Sequence, residues 1–366
     1  MNDTRNWLLY GANGYTGRLI AETAVASGVR PVLAGRNRSD IQSLAARLGC
    51  PCRVFSLKDP GELAAGLQGI STVLHCAGPF CDTAPPMVDA CLAAGVHYLD
   101  ITGEYEVIEE LAQQAGRATA AGIVLMPAVG MDVVPSDCLA ARLARAVPGA
   151  DQLVLALSGT ATISPGTART IWRNLGRGAR VRREGRIVPA PVGDDLHELP
   201  FPSGSRPSMT IPWGDIASAF YTTGIPNIEV RVGLRPDQAL LVRRWRWMLP
   251  LAGLAPIQFL GRWWIRRRVS GPGEDERATG RTEFWGRALA VDGRVAEAVV
   301  TAPNGYRLTA DAALAIVARV QAGQVTPGFQ TPAGALGDTF LEELSGVAFQ
   351  WRRQPDDAPS SRGSNE

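Results

Sequence analysis

The chain has 366 residues, 46% of them hydrophobic and 20% charged, which fits two folded domains and excludes a mostly disordered polymer. Its net charge of +2 comes from 36 Arg and a single Lys, Lys58, against 35 acidic residues. That balance argues against a nucleic-acid binder and leaves only Lys58 for lysine-based covalent catalysis, so a small or lipidic substrate is expected.

Residues 1–6 lead straight into an apolar strand without a signal core, so a cytoplasmic protein is expected. Short apolar runs then alternate with helical stretches: strand 7–10, helix 17–27, strand 31–34, helix 39–48, strand 53–57 and a short helix near 61–67. The series continues with strand 72–76, helix 85–94, strand 97–101, helix 105–121 and strand 123–126. Such alternation predicts a doubly wound parallel sheet of Rossmann type over residues 1–135, completed by a return of the chain at 325–354.

Beyond residue 135 longer strands are expected at 152–158, 227–234, 282–291 and 295–301, the last two joined by an Asp292-Gly293 hairpin turn. This predicts a second α+β domain with a mixed or antiparallel sheet over 136–324, for substrate and for the contact of a homodimer. Pro and Gly crowd 185–226, where long loops are expected. A helix at 309–322 follows, and residues 355–366 read as a disordered tail. Residues 243–268 hold four of the nine Trp between arginine clusters. They read either as an interfacial hairpin making peripheral membrane contact or as two Pro-broken helices packed on the second domain. The six Cys lack Cys-x-x-Cys pairing and read as reduced thiols, with no metal site expected.

Gly11, Gly14 and Gly17 follow the first strand at the mouth of a helix. Gly11 permits the tight turn, Gly14 lets a pyrophosphate reach backbone amides, and Gly17 lets helix and strand pack closely. Asn13, Tyr15 and Thr16 complete this loop. The second strand ends at Arg36-Asn37 with no carboxylate for a ribose 2′-hydroxyl; Arg36 is placed to clamp a 2′-phosphate, which predicts NADP(H). Asp59 is placed either to meet the adenine edge or to cap a helix. Cys76, Ala77, Gly78 and Pro79, at the end of the fourth strand, are small enough for the cofactor to lie against the backbone. His75 and Cys81 there read as structural rather than catalytic.

These segments resemble the saccharopine dehydrogenase-like NADP-binding reductases, in particular the trans-acting enoyl reductase branch. The resemblance also rests on Gly95 through Glu104, Gly130 through Asp137, Ser164-Pro165-Gly166-Thr167 and Gly328 through Ala333. It implies NADPH-dependent reduction of a double bond, with a small-molecule or carrier-bound acyl chain as substrate. Asn13, His75 and Ala84-Pro85-Pro86 depart from the family's pattern. A saccharopine-type amino acid would require clustered charges, whereas 247–265 is apolar.

Hydride transfer requires a proton source. Tyr98, Asp100 and Glu104, at the end of the fifth strand, are the candidates, although Glu104 is also suited to begin a helix. Phe80, Cys81 and Asp132 are expected to line the substrate cleft. Ser164, Gly166 and Thr167 form either a cradle for an anionic group or a plain helix cap.

Overall fold

The computed structural model describes residues 6–159, 163–191 and 196–354; the expected tail at 355–366 lies outside them. The first part of the chain runs β1 (Trp7–Tyr10), α1 (Tyr15–Ala26), β2 (Val32–Gly35), α2 (Arg38–Leu48), β3 (Cys52–Val54), α3 (Pro60–Leu67) and β4 (Thr72–His75). It continues through α4 (Phe80–Ala94), β5 (His97–Asp100), α5 (Tyr105–Gln113), α6 (Ala115–Ala121) and β6 (Val124–Met126). The strands form a parallel sheet in the order β6-β5-β4-β1-β2-β3. Leu9, Leu33, Leu74 and Leu99 face one layer of helices, and Leu8, Val73 and Tyr98 face the other. Burial on both faces is why the strands read as unbroken apolar runs.

Helix α4 begins five residues before the expected start at 85. Pro85 and Pro86 lie inside it rather than at its first turn. What permits the earlier start is a carboxylate from elsewhere in the chain: Glu104 accepts the amides of Phe80 (3.2 Å) and Cys81 (2.9 Å), groups that a helix start leaves unpaired.

The second part comprises α7 (Val134–Ala146), β7 (Ala150–Gly159), α8 (Pro165–Leu175), β8 (Ala179–Arg183), β9 (Arg186–Ala190), β10 (His197–Phe201), β11 (Gly204–Thr210), α9 (Asp215–Thr223) and β12 (Asn227–Gly233). Next come α10 (Pro236–Trp245), a 3-10 helix (Arg246–Gly253), α11 (Ala255–Arg268), α12 (Glu274–Thr279), the hairpin β13 (Arg281–Ala290) and β14 (Val295–Pro303), and α13 (Gly305–Gln321). A mixed sheet forms in the order β10-β11-β12-β7-β13-β14, with β8 and β9 attached beside β12. Helix α7 lies against β13, where Gly286 leaves space for Leu139 and Leu143.

The loops expected at 185–226 are therefore mostly regular structure. Pro189 and Pro200 disguise it, but among the described residues β9 pairs only with β8, and β10 only with β11. Edge strands tolerate proline because one row of their backbone groups needs no partner.

The return of the chain divides between the sheets. β15 (Gly328–Phe329) adds to the first beside β6, α14 (Pro332–Leu336) follows, and β16 (Ala348–Arg353) adds to the second beside β14. Residues 325–354 thus do not all complete the first sheet, the outcome expected from sequence: β16 instead pairs antiparallel with β14 in the second. Arg142 on α7 holds the crossing, meeting Asp338 at 3.0 Å and Glu342 at 2.8 Å. No helix among the described residues is long and apolar enough to cross a membrane.

Candidate active site

The loops after β1, β2, β4, β5 and β6 gather at the carboxyl edge of the parallel sheet, where ligands bind in open α/β folds. Gly11 has φ +81°, and a Cβ there would fall 2.8 Å from the amide nitrogen of Ala77. A Cβ on Gly17 would overlap the Gly11 carbonyl. Gly14 precedes α1 without any side chain capping the helix, so the first amides of α1 remain available to an anion. This cradle, closed to side chains and open to backbone donors, fits a dinucleotide pyrophosphate.

Around it, Asn13 and Asn37 both donate to Asp40 (3.2 and 2.8 Å), and Asn37 also caps α2. Asp40, passed over in the sequence reading, thereby shapes the loop. Arg36 is exposed at the end of β2, with no hydrogen-bond or ion-pair partner among the described residues. Its guanidinium is available to a 2′-phosphate. Asp59 caps α3, its Oδ1 accepting the amides of Gly61 (2.8 Å) and Glu62 (3.0 Å). Tyr15 turns toward the second sheet's elements: it donates to the Pro272 carbonyl at 2.7 Å and stands edge-on to Tyr306 at 4.9 Å. Thr16 is half-buried in the first turn of α1.

After β4, the Ala77 carbonyl accepts the Thr83 hydroxyl at 2.6 Å, fixing the Cys76-Ala77-Gly78-Pro79 turn. His75 is fully buried between Tyr10 and Tyr98 and is pushed down to about 4 by burial, so it stays neutral and structural. The Cys81 thiol lies against Arg173 and is pushed up to about 11, chiefly by burial and then by the Glu104 charge. It is no ready nucleophile.

Two of the three expected proton donors are turned inward. Tyr98 donates to Asp100 at 2.8 Å, and the other Asp100 oxygen accepts the amides of Thr102 and Ala128, both at 2.9 Å. Both side chains are fully buried. Asp100 ties β5 to the loop after β6, holding Ala128 at φ +60°. Glu104 is committed as well: besides capping α4, it pairs with Arg173 at 2.9 Å. All three side chains are thus buried and partnered, which residue type and strand-end position did not reveal.

Asp132 differs. It is half-buried, and its carboxylate has no hydrogen-bond partner among the described residues. Its loop is pinned on both sides, since Trp213 donates to the Asp132 carbonyl at 2.6 Å and Thr309 Oγ1 accepts the Met131 amide at 3.0 Å. Burial pushes the carboxyl up to about 7. Gly103 lies beside it: a Cβ there would come within 2.9 Å of Asp132 Oδ2.

Behind Asp132, Asp137 accepts Thr222 Oγ1 (2.7 Å) and the Ala333 amide (2.8 Å), and burial holds it up at about 6. Asp215, fully buried on α9 beside Ser136, finds no hydrogen bond of normal geometry for either oxygen. Burial, with Asp137 and Asp132 nearby, holds its carboxyl well above the ordinary range. The sequence reading missed Asp215; the available signal was a lone acid leading the apolar run Ile216-Ala217.

Ser164 Oγ accepts the Thr167 amide at 3.2 Å and so caps α8, while Gly166 is exposed in the first turn. The Tyr306 hydroxyl accepts the Ser164 amide at 2.5 Å and lies 3.3 Å from Thr167 Oγ1. The cap reading accounts for these bonds. Tyr306, with no motif to mark it, links the glycine loop through Tyr15 to α8. No group of three or more metal-ligating side chains occurs among the described residues.

Residues 7–126, which carry β1 to β6, match the family model described as the saccharopine dehydrogenase NADP binding domain. Among curated relatives, the trans-acting enoyl reductase of Mycobacterium leprae is 35% identical over 150 residues, 38% of this chain and 35% of that protein. A probable mitochondrial saccharopine dehydrogenase-like oxidoreductase of Arabidopsis thaliana is 33% identical over 36% of this chain and 32% of its own length. The matched stretch thus spans about a third of these relatives. The fold extends further: apo saccharopine dehydrogenase (L-Glu forming) of Saccharomyces cerevisiae superposes with a TM-score of 0.66 at 14% identity, covering 95% of this chain and 100% of that one.

Proposed function

We propose that the protein is an NADPH-dependent oxidoreductase that reduces a C=C bond conjugated to a carbonyl in a lipophilic acyl or polyketide-type substrate. The observation that carries this reading is the placement of Asp132, whose carboxylate has no hydrogen-bond partner among the described residues and lies beside Gly103 at the sheet edge that the glycine loop shares. The similarity to trans-acting enoyl reductases supports the same chemistry.

NADPH, when bound, supplies a hydride. The chain's own residues hold it and supply the rest: the Gly11–Gly17 loop takes the pyrophosphate, and Arg36 takes the 2′-phosphate. Asp132 gives the proton that saturation of the double bond requires next to the carbonyl, a task for an acid titrating near the working pH. Tyr98, Asp100 and Glu104 position the loops.

The test compares NADPH oxidation with an enoyl thioester and with a cyclic imine. Turnover of the thioester is expected. Turnover of only the imine would move the activity to C=N reduction on an amino-acid-derived substrate, and NADPH binding with no oxidation by either would make the chain a non-catalytic scaffold.

A further inference from the structure

Between Asp237 and Glu274 the chain carries seven Arg and four Trp and no acidic residue. We propose that this stretch docks the protein onto the surface of an anionic lipid bilayer, lying in the interface rather than crossing it.

The stretch folds onto the second domain by one face only. Gln258 Nε2 donates to the carbonyls of Ala252 (2.6 Å) and Trp172 (2.9 Å), and Trp172 Nε1 donates back to the Gln258 carbonyl at 3.3 Å. Gly261 presses on the Trp172 ring with no space for a side chain, and Ile265 is buried. The helices are therefore built in, held by α8.

The opposite face is apolar and bare. On α11, Phe259 and Leu260 are 68% and 62% exposed, and Trp263 and Trp264, one turn on, are also solvent-facing; Leu240 on α10 and Leu254 before α11 are exposed as well. Scattered exposed leucines are ordinary on a soluble protein, but a contiguous aromatic and aliphatic face marks an interaction surface.

Its charge selects the partner. Arg243 and Arg244 close α10, and Arg266, Arg267 and Arg268 close α11. None of the five has an ion-pair partner among the described residues, and Arg267 lies 4.3 Å over the Trp263 ring. Tryptophan favours the headgroup level of a bilayer and arginine its phosphates, so the two together complement an anionic membrane. At 14 residues, about 21 Å, α11 is too short for a hydrocarbon core of about 30 Å and suits an in-plane position.

The inference does not depend on the reaction proposed above. Co-sedimentation of the full chain with phosphatidylcholine vesicles, with and without phosphatidylglycerol, tests it. Binding at least about tenfold tighter to the anionic vesicles, weakening as salt rises, is expected. Arg266→Glu/Arg267→Glu/Arg268→Glu and Phe259→Ser/Leu260→Ser, each checked for retained NADPH binding, should lower it at least about tenfold. Should a variant fail to fold, the lipid and salt dependence of the unaltered chain decides. Equal binding to both vesicles, or binding to neither, overturns the proposal. So does a concentration-dependent dimer abolished by Phe259→Ser/Leu260→Ser without vesicle binding, since the face would then meet a second copy.

Discussion

Arg173 on α8 and Glu104 after β5 meet at 2.9 Å, joining an element inserted in the second sheet to the ligand-binding edge of the first. Glu104 is buried and Arg173 largely so, and the same carboxylate carries the start of α4.

Removing one partner of such a pair leaves the other unsatisfied. Arg173→Met should destabilise the fold by about 2 kcal/mol, below the range for a fully buried pair because Arg173 keeps some solvent. Glu104→Gln should cost at least as much, since its cap is also weakened. Urea unfolding of both variants and the double variant measures this; additive losses would mean that the two side chains do not interact.

Arg36→Asp should weaken NADPH at least about tenfold while leaving NADH nearly unchanged, because only the former carries the 2′-phosphate that Arg36 is free to meet. Fluorescence titration with both cofactors checks it. An equal loss for both would place 2′-phosphate recognition elsewhere.

Asp132→Asn should lower kcat by about 10²- to 10⁴-fold without altering NADPH affinity. In the unaltered chain the acid form is the active one, so kcat should fall as pH rises through about 7. Stability shares that direction. The folded Asp132 binds its proton more tightly than the unfolded one, so its effect on stability becomes increasingly unfavourable as pH rises from about 4 to about 7. Asp132→Asn removes this dependence, and its Tm should decline less than the unaltered chain's across that window. Parallel Tm curves would sink the assignment.

Gly103→Ala probes the same carboxyl without replacing it. The new Cβ would crowd Asp132 Oδ2 at 2.9 Å, so Asp132 must move. The expected outcome is a fall in kcat of about tenfold or more with NADPH affinity intact, as misplacement of a proton donor gives. Unchanged kcat would show that Asp132 is not required in this place.

The first sheet was legible because its determinants are local. Strands buried on both faces write themselves as apolar runs, and a backbone-lined phosphate cradle writes itself as Gly11, Gly14 and Gly17. What failed depends on distant residues. The start of α4 is set by Glu104, and β9 and β10 tolerate Pro189 and Pro200 because each pairs on one side alone among the described residues. Tyr98 and Asp100 have the right chemistry at the right strand end, yet the tertiary fold commits them to each other and to Ala128. Asp132 was read only as lining the cleft, because a carboxyl pushed up by burial has the same letter as one in water.

The two-residue strand β15 has a practical consequence for anyone dividing this chain. The Gly328 and Gln330 amides donate to the Ile123 and Leu125 carbonyls along β6, at 2.8 and 2.9 Å, although about two hundred residues separate the two strands in sequence. A fragment cut after β6 would keep the whole glycine cradle but bare the flank of Val124–Met126. Open strand flanks recruit other chains, so such a nucleotide-binding fragment would tend to self-associate unless Gly328–Phe329 were grafted back beside it.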